Sequence, residues 1–228
     1  MREIVFDTET TGLSFAGGDR MVEIGCVELV NRCETGRTFH AYYHPERDMP
    51  EDAARVHGLR IEFLSKHPPF AAGAHELIEF IADAPLIAHN ATFDFSFLNG
   101  ELTRCGRPTV AMTRMVDTLP MAQKRHPGAK HNLDALCTRF GIDRSHRLLH
   151  GALLDAQLLA QVYVELTGGR QIGLGLLSDT KPSAVRAVTP VARPVRPPRV
   201  FTVPEGERLR HRAFLQTVTA PLWGEVGG

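Results

Sequence analysis

Two carboxylates stand one residue apart in Glu3-Ile4-Val5-Phe6-Asp7-Thr8-Glu9-Thr10-Thr11-Gly12. Side chains alternate across an extended strand, so Asp7 and Glu9 share a face with Val5. Ile4, Val5 and Phe6 read as a short buried strand closed by the Thr-Gly turn, which puts both acids at its carboxyl end. Carboxylates held together there lose solvation and repel each other, and a divalent cation compensates for both effects. An isolated Asp-x-Glu is more often a pair of solvated acids at a strand end. The rest of the chain has to decide between these readings.

A third acid, Asp94, ends the run Ala88-His89-Asn90-Ala91-Thr92-Phe93-Asp94, just inside a helix start that follows a strand. An acid in a first turn ordinarily answers the helix dipole. Ligands of open α/β sheets, however, bind beyond the carboxyl ends of the strands, where Asp94, Asp7 and Glu9 all fall. The fourth acid closes His150-Gly151-Ala152-Leu153-Leu154-Asp155. In a helix, Asp155 shares its face with Leu158, Leu159 and Val162, while Gln157, Gln161 and Glu165 form the polar side. An acid on an apolar stripe needs a partner, either a metal or an arginine. His150, a loop residue beside an inward acid, is a candidate general base because its pKa lies near operating pH. Asp117 and Asp134 read as helix-start acids rather than ligands.

Bringing these groups together requires a sheet. Residues 22–30 and 36–43 read as strands joined by Asn31-Arg32-Cys33-Glu34-Thr35, an antiparallel hairpin that extends the first strand. Helical patterns follow near 51–57 and 74–83, then a short strand at Leu86-Ile87-Ala88. A helix over about 93–104 takes Thr92 as its N-cap, and a strand at Met115-Val116 leads to a helix over 118–125 capped by Asp117. Asn132 caps a helix over 133–140, and the last helix of the core, 152–166, stops at Gly168-Gly169. A meander followed by alternating helices and strands predicts an α/β domain with a mixed sheet.

The 228 residues are 43% hydrophobic and 23% charged, enough for one sizeable core, with a formal charge of +0. Residues 1–170 carry 18 Lys+Arg against 22 Asp+Glu, and 171–228 carry 8 against 4. That neutrality argues against binding nucleic acid by broad electrostatic attraction, leaving local contacts in one groove. Cys26, Cys33, Cys105 and Cys137 form no metal-binding spacing and suit a reducing, cytoplasmic setting. The chain reaches an acidic strand at once, without a signal-peptide pattern, and no apolar run nears the roughly 20 residues of a membrane span. Residues 178–204 hold six prolines, five Lys+Arg and one acid, and read as a linker. Residues 205–223 regain Leu209, Phe214, Leu215, Val218, Leu222 and Trp223.

Asp7-x-Glu9, Asp94 in its His-Asn-Ala-x-Phe-Asp context and His150-x4-Asp155 together resemble the three motifs of the DEDDh 3′–5′ exonucleases, over about residues 1–168. His150 separates this class from the variant that carries tyrosine there. Val56-His57-Gly58-Leu59, Leu133-Asp134-Ala135-Leu136-Cys137 and Thr167-Gly168-Gly169 bring the resemblance closest to the proofreading members that serve bacterial replication. The resemblance implies a ribonuclease-H-like domain over 1–170 with a central mixed five-stranded sheet flanked by helices. It implies two divalent ions, Mg²⁺ or Mn²⁺, on Asp7, Glu9, Asp94 and Asp155, with His150 as the base. The implied reaction removes mispaired 3′-terminal nucleotides of DNA as nucleoside 5′-monophosphates. Thr10, Leu13, His57 and Phe93, with Asp7, Glu9 and Asp155, would then face the terminal nucleotide.

In the tail, Gln171-Ile172-Gly173-Leu174-Gly175-Leu176 resembles a sliding-clamp-binding pattern, through Gln171, Leu174 and Leu176. After the flexible linker 177–204, residues 205–228 resemble a segment that docks on the DNA polymerase III alpha subunit, through Phe214, Leu222 and Trp223. An RNA-trimming or free-standing repair exonuclease of the same family, and a catalytically silent scaffold on this fold, are the alternatives. The tail speaks against the first, and the intact acids against the second.

Overall fold

In the computed structural model, which describes residues 1–147, 149–169 and 202–219, β1 (Arg2–Thr10) is the middle strand of five. Ile4, Val5 and Phe6 are buried on both faces, as a continuous apolar run in a central strand requires. β2 (Met21–Val30) pairs antiparallel with β1, and β3 (Cys33–Tyr42) antiparallel with β2. On the other side of β1, β4 (Leu86–Ala88) and β5 (Met115–Asp117) add in parallel, giving the order β3-β2-β1-β4-β5. The mixed five-stranded sheet is therefore present.

The hairpin is tighter than composition predicts. Only Asn31 and Arg32 connect β2 to β3, both at positive φ (52° and 65°), the two-residue turn whose twist matches that of paired strands. Cys33, Glu34 and Thr35, expected in the connection, begin β3, and the register slips between Val27 and Leu29 to accommodate them.

Helix α1 (Glu51–His57) is followed by α2 (Ile61–Leu64), a single turn that periodicity does not reveal, and by α3 (Phe70–Ile81). α3 starts four residues before the expected 74, after Pro69, whose fixed φ suits a helix entrance. α4 (Thr92–Arg104) is capped at Ala91, and Thr92 lies inside the first turn without a capping hydrogen bond, a correction to its expected role. The local reason is Asn90, which takes the left-handed conformation (φ 62°) and turns the chain from β4 one residue earlier. α5 (Thr118–Arg125), α6 (Leu133–Phe140) and α7 (Ala152–Leu166) keep their expected bounds. Asp117 Oδ1 accepts from Leu119 N at 2.9 Å, and Asn132 Oδ1 accepts from Ala135 N at 2.9 Å.

Two layers cover the sheet. Ile4, Phe6, Ile24 and Cys26 pack with Phe70, Leu77, Phe95, Phe97 and Leu102 of α3 and α4. On the opposite face, Val5, Val27, Leu29 and Ile87 meet Ala156, Leu159, Ala160 and Tyr163 of α7. α7 lies close: a Cβ on Gly25 of β2 would stand 2.2 Å from Leu153 N and 2.3 Å from Leu153 Cα. Each fully buried Leu, Ile or Phe contributes about 1.5–3 kcal/mol of transfer free energy, so both layers are held firmly on the strands.

The chain divides into two compact units, Met1–Leu177 and Ser178–Gly228. In the second, the described residues form α8 (Glu205–Leu215), with Leu209 and Phe214 exposed. All four cysteines are free, and no helix among the described residues is long and apolar enough to cross a membrane.

Candidate active site

The acids approach β1 from both of its faces. Asp7 and Glu9 lie on the Val5 side, where α7 packs, and Asp155 sits in the first turn of α7. Thr8, between the two acids, faces the other layer, and its Oγ1 donates to Asp94 Oδ1 of α4 at 2.7 Å. The cleft forms where the two layers meet, beyond the carboxyl ends of β1 and β4. It encloses about 360 Å³ and is lined by Asp7, Glu9, Asp94, His150 and Asp155 together with Thr8, Asn90 and Phe93.

Its electrostatics are severe. Burial, then the charges of Asp94, Glu9, Asp155 and Glu23, hold the Asp7 carboxyl well above the usual carboxylate range. Glu9 is pushed to about 8, first by burial and then by Glu23, its cross-strand partner, with Asp155 and Asp94 adding and Arg147 opposing. Asp94 rises to about 7 through burial, against the lowering effect of the Thr8 bond. Without a metal ion these groups hold protons near neutral pH.

Arg147, in the connection between α6 and α7, brings a cation into this cleft. Its Nε donates to Asp155 Oδ1 at 2.5 Å and its Nη2 to Asp155 Oδ2 at 2.7 Å. Its Nη1 donates to Asp134 Oδ1 at 2.8 Å, and Nη2 lies 2.9 Å from His150 Nδ1. Of the two partners an acid on the apolar stripe of α7 could have, the arginine is therefore in place. His150 is exposed at the rim, with Nδ1 3.3 Å from Asp155 Oδ2. Glu9, His150 and Asp155 each offer a donor atom within 4.8 Å of the others.

Asp117 and Asp134 behave as helix-start acids: Asp117 caps α5 and also accepts from Asn90 N at 3.0 Å, and Asp134 pairs with Arg144 and Arg147. Among the expected nucleotide-facing residues, Phe93 lines the cleft. Thr10 is buried, its hydroxyl donating to Gly12 O at 2.6 Å. Leu13 is 87% exposed on the loop after β1. His57 is buried at the end of α1; Nδ1 accepts from Leu59 N at 3.1 Å, while Nε2 closes no hydrogen bond within the described residues, and burial lowers its pKa. Gln171, Leu174, Leu176, Leu222 and Trp223 lie outside the described residues.

Sequence reasoning missed Arg147 and Thr8. The signal for Arg147 was a basic residue three positions before His150, in a loop already suspected of facing the acids. Thr8 gave none, because a threonine inside a strand is unremarkable by type.

The model of the exonuclease family RNase_T matches residues 4–163. The chain is 48% identical over 222 residues to the DNA polymerase III subunit epsilon of Rickettsia felis, covering 96% of this chain and 97% of that one. It is 41% identical over 226 residues to the subunit of the same name from Escherichia coli, covering 95% and 93%. The fold resembles the nuclease domain of 3′hExo, a DEDDh family member solved with rAMP, at a TM-score of 0.63 and 16% identity, over 73% of this chain and 91% of that one. With 41–48% identity to the two epsilon subunits sustained along nearly the full length of both chains, and the cleft acids held within the matched segment, this chain belongs to the exonuclease family, in its branch of DNA polymerase III epsilon subunits.

Proposed function

We propose that this 3′–5′ proofreading exonuclease works through Asp7, Glu9, Asp94 and Asp155 as the holders of two divalent ions, Mg²⁺ or Mn²⁺, and His150 as the general base. The observation that carries the reading is one cleft in which four carboxylates converge and three of them are driven far up in pKa. The four carboxylates of the cleft are an all-oxygen donor set with surplus negative charge, which fits a hard divalent cation, and exonucleases of the DEDDh class depend on divalent metal. When bound, two such ions supply charge neutralisation at the attacking and leaving oxygens of the scissile phosphate.

The chain's own groups do the rest. Asp7 would serve both ions, Glu9 and Asp155 would help to hold one, and Asp94, steadied by the Thr8 hydroxyl at 2.7 Å, would help to hold the other. His150 takes the proton from the attacking water, and Asp155, 3.3 Å away, orients the imidazole. A base so placed contributes roughly 10²–10⁴ in rate. The water oxygen forms the new bond to phosphorus and the bond to the preceding nucleotide's O3′ breaks. A nucleoside 5′-monophosphate leaves, and the strand keeps a 3′-hydroxyl. Phe93, which lines the cleft, offers an apolar face to the terminal base, and Thr10, Leu13 and His57 are assigned to the same nucleotide; stacking of this kind tolerates any base. A mispaired end frays more cheaply than a paired one, which gives selectivity without base readout.

The relatives' name as a polymerase III subunit supports association with that polymerase, and residues 205–228, where Phe214 is exposed, are assigned to its alpha subunit. Residues 171–176 are assigned to the sliding clamp, and 177–204 to the linker between the two attachments. The test is release of nucleoside 5′-monophosphates from a 3′-mispaired primer in Mg²⁺. Wild type should release them and Asp7→Ala should not. Substantial Mg²⁺-dependent release by purified Asp7→Ala would sink the two-ion reading.

A further inference from the structure

Among the described residues, Arg147 is the only Lys or Arg that lines the acidic cleft. It is nearly as buried as its target, with side chains 9% and 4% exposed for Arg147 and Asp155. Its fork engages both oxygens of Asp155 at once, at 2.5 and 2.7 Å. Bidentate pairing of this kind occupies the carboxylate edge that a metal ligand must present. The same guanidinium also touches His150 Nδ1 at 2.9 Å, so it covers two groups assigned to the reaction. Its remaining anchor, Asp134, lies outside that set and is shared with Arg144.

A guanidinium and a divalent ion therefore compete for one carboxylate. The ion carries the larger charge and relieves Asp7, Glu9 and Asp94 as well, whereas Arg147 bonds to none of those three acids. We infer that Arg147 is a resident counter-cation of the metal-free cleft, displaced from Asp155 when a divalent ion loads and then held by Asp134 at the rim. The inference rests on the proposed metal reading and adds a cost to loading. Without metal, the arginine spares Asp155 from lying buried and unpaired. With metal, that pairing is exchanged. Arg147 is thus a positioning residue, acting through Asp155 and His150.

The full-length protein, stripped of metal, carries the test. Mn²⁺ titrated calorimetrically into wild type and Arg147→Ala should bind the variant about tenfold more tightly, because no internal cation has to leave. The metal-free variant should melt below wild type, and saturating Mn²⁺ should narrow the gap. In ¹⁵N-labelled wild type, the Arg147 Nε–H signal should be protected without metal and lose that protection on saturation with Mg²⁺. This second readout needs no variant to fold, and it separates displacement from a mere loss of positive charge nearby. An Nε–H signal that stays protected in saturating Mg²⁺ overturns the inference whatever the variant's affinity, and leaves the metal reading standing. A wild type that binds no Mn²⁺ removes both.

Discussion

Asp7 and Asp155 are both assigned to the metals, yet their removal should have opposite effects on the metal-free fold. Asp7 forms no ion pair within the described residues, and burial and the neighbouring acids are the largest influences on its pKa, all raising it, so Asp7→Ala relieves repulsion. Thermal unfolding in a chelator should show Asp7→Ala as stable as wild type or more so. Asp155→Ala strands the Arg147 fork in a buried position, and breaking a buried pair costs about 3 kcal/mol. It should melt clearly lower. Equal melting temperatures for the two variants would contradict the described pairing. The same acids predict a pH dependence. Glu9 near 8 and Asp94 near 7 lie above their unfolded values of about 4.3 and 3.9, so between those limits the folded state binds the extra protons. Their contribution is therefore fully present below about pH 4 and is lost as pH rises through 7 to 8. Mn²⁺ affinity should move the other way, because the ion must displace those protons. Melts in chelator that rise between about pH 6 and 8 would reverse the sign and refute the shifts.

At the scale of elements, the site depends on how close α7 comes to the sheet. Gly25 makes that approach possible: a Cβ there would fall on the backbone of Ala152 and Leu153, which cannot swing aside as a side chain can. Gly25→Ala should cost on the order of 2 kcal/mol in overpacking. Because α7 carries Asp155, activity should fall much further than the melting temperature alone implies; a variant with lowered stability but wild-type turnover would detach the helix position from the chemistry. Elements were legible in proportion to how local their signals are. α5, α6 and α7 were readable to the residue because Asp117, Asn132 and Gly168-Gly169 state their ends within one turn of chain. The Asn31-Arg32 turn and the start at Phe70 were not. The first is set by strand register and twist, and the second by burial of Phe70 against Tyr43 and the sheet.

Across the whole molecule, the nuclease unit and the tail should separate by experiment. Deleting 205–228 should abolish co-purification with the polymerase alpha subunit and leave hydrolysis of short single strands unchanged. The exposed Leu209 and Phe214 of α8 are large apolar groups suited to a partner. Gln171, Leu174 and Leu176 changed together to Ala should weaken clamp binding alone. A 1–204 chain that binds the polymerase with wild-type affinity would refute this division.

Sequence by itself determined the acids, their order and the sheet they required. Asp7 and Glu9 share a face because strands alternate, and Asp155 stands out because a helix repeat places it among leucines. Both rules act over a few residues and need no knowledge of the rest of the chain. Tertiary structure alone decided that Thr8 reaches through to Asp94, that Glu23 stands across from Glu9, and that Arg147 rather than solvent answers Asp155. Those contacts join different elements, and their energies come from burial and charge at distances that spacing along a chain does not encode.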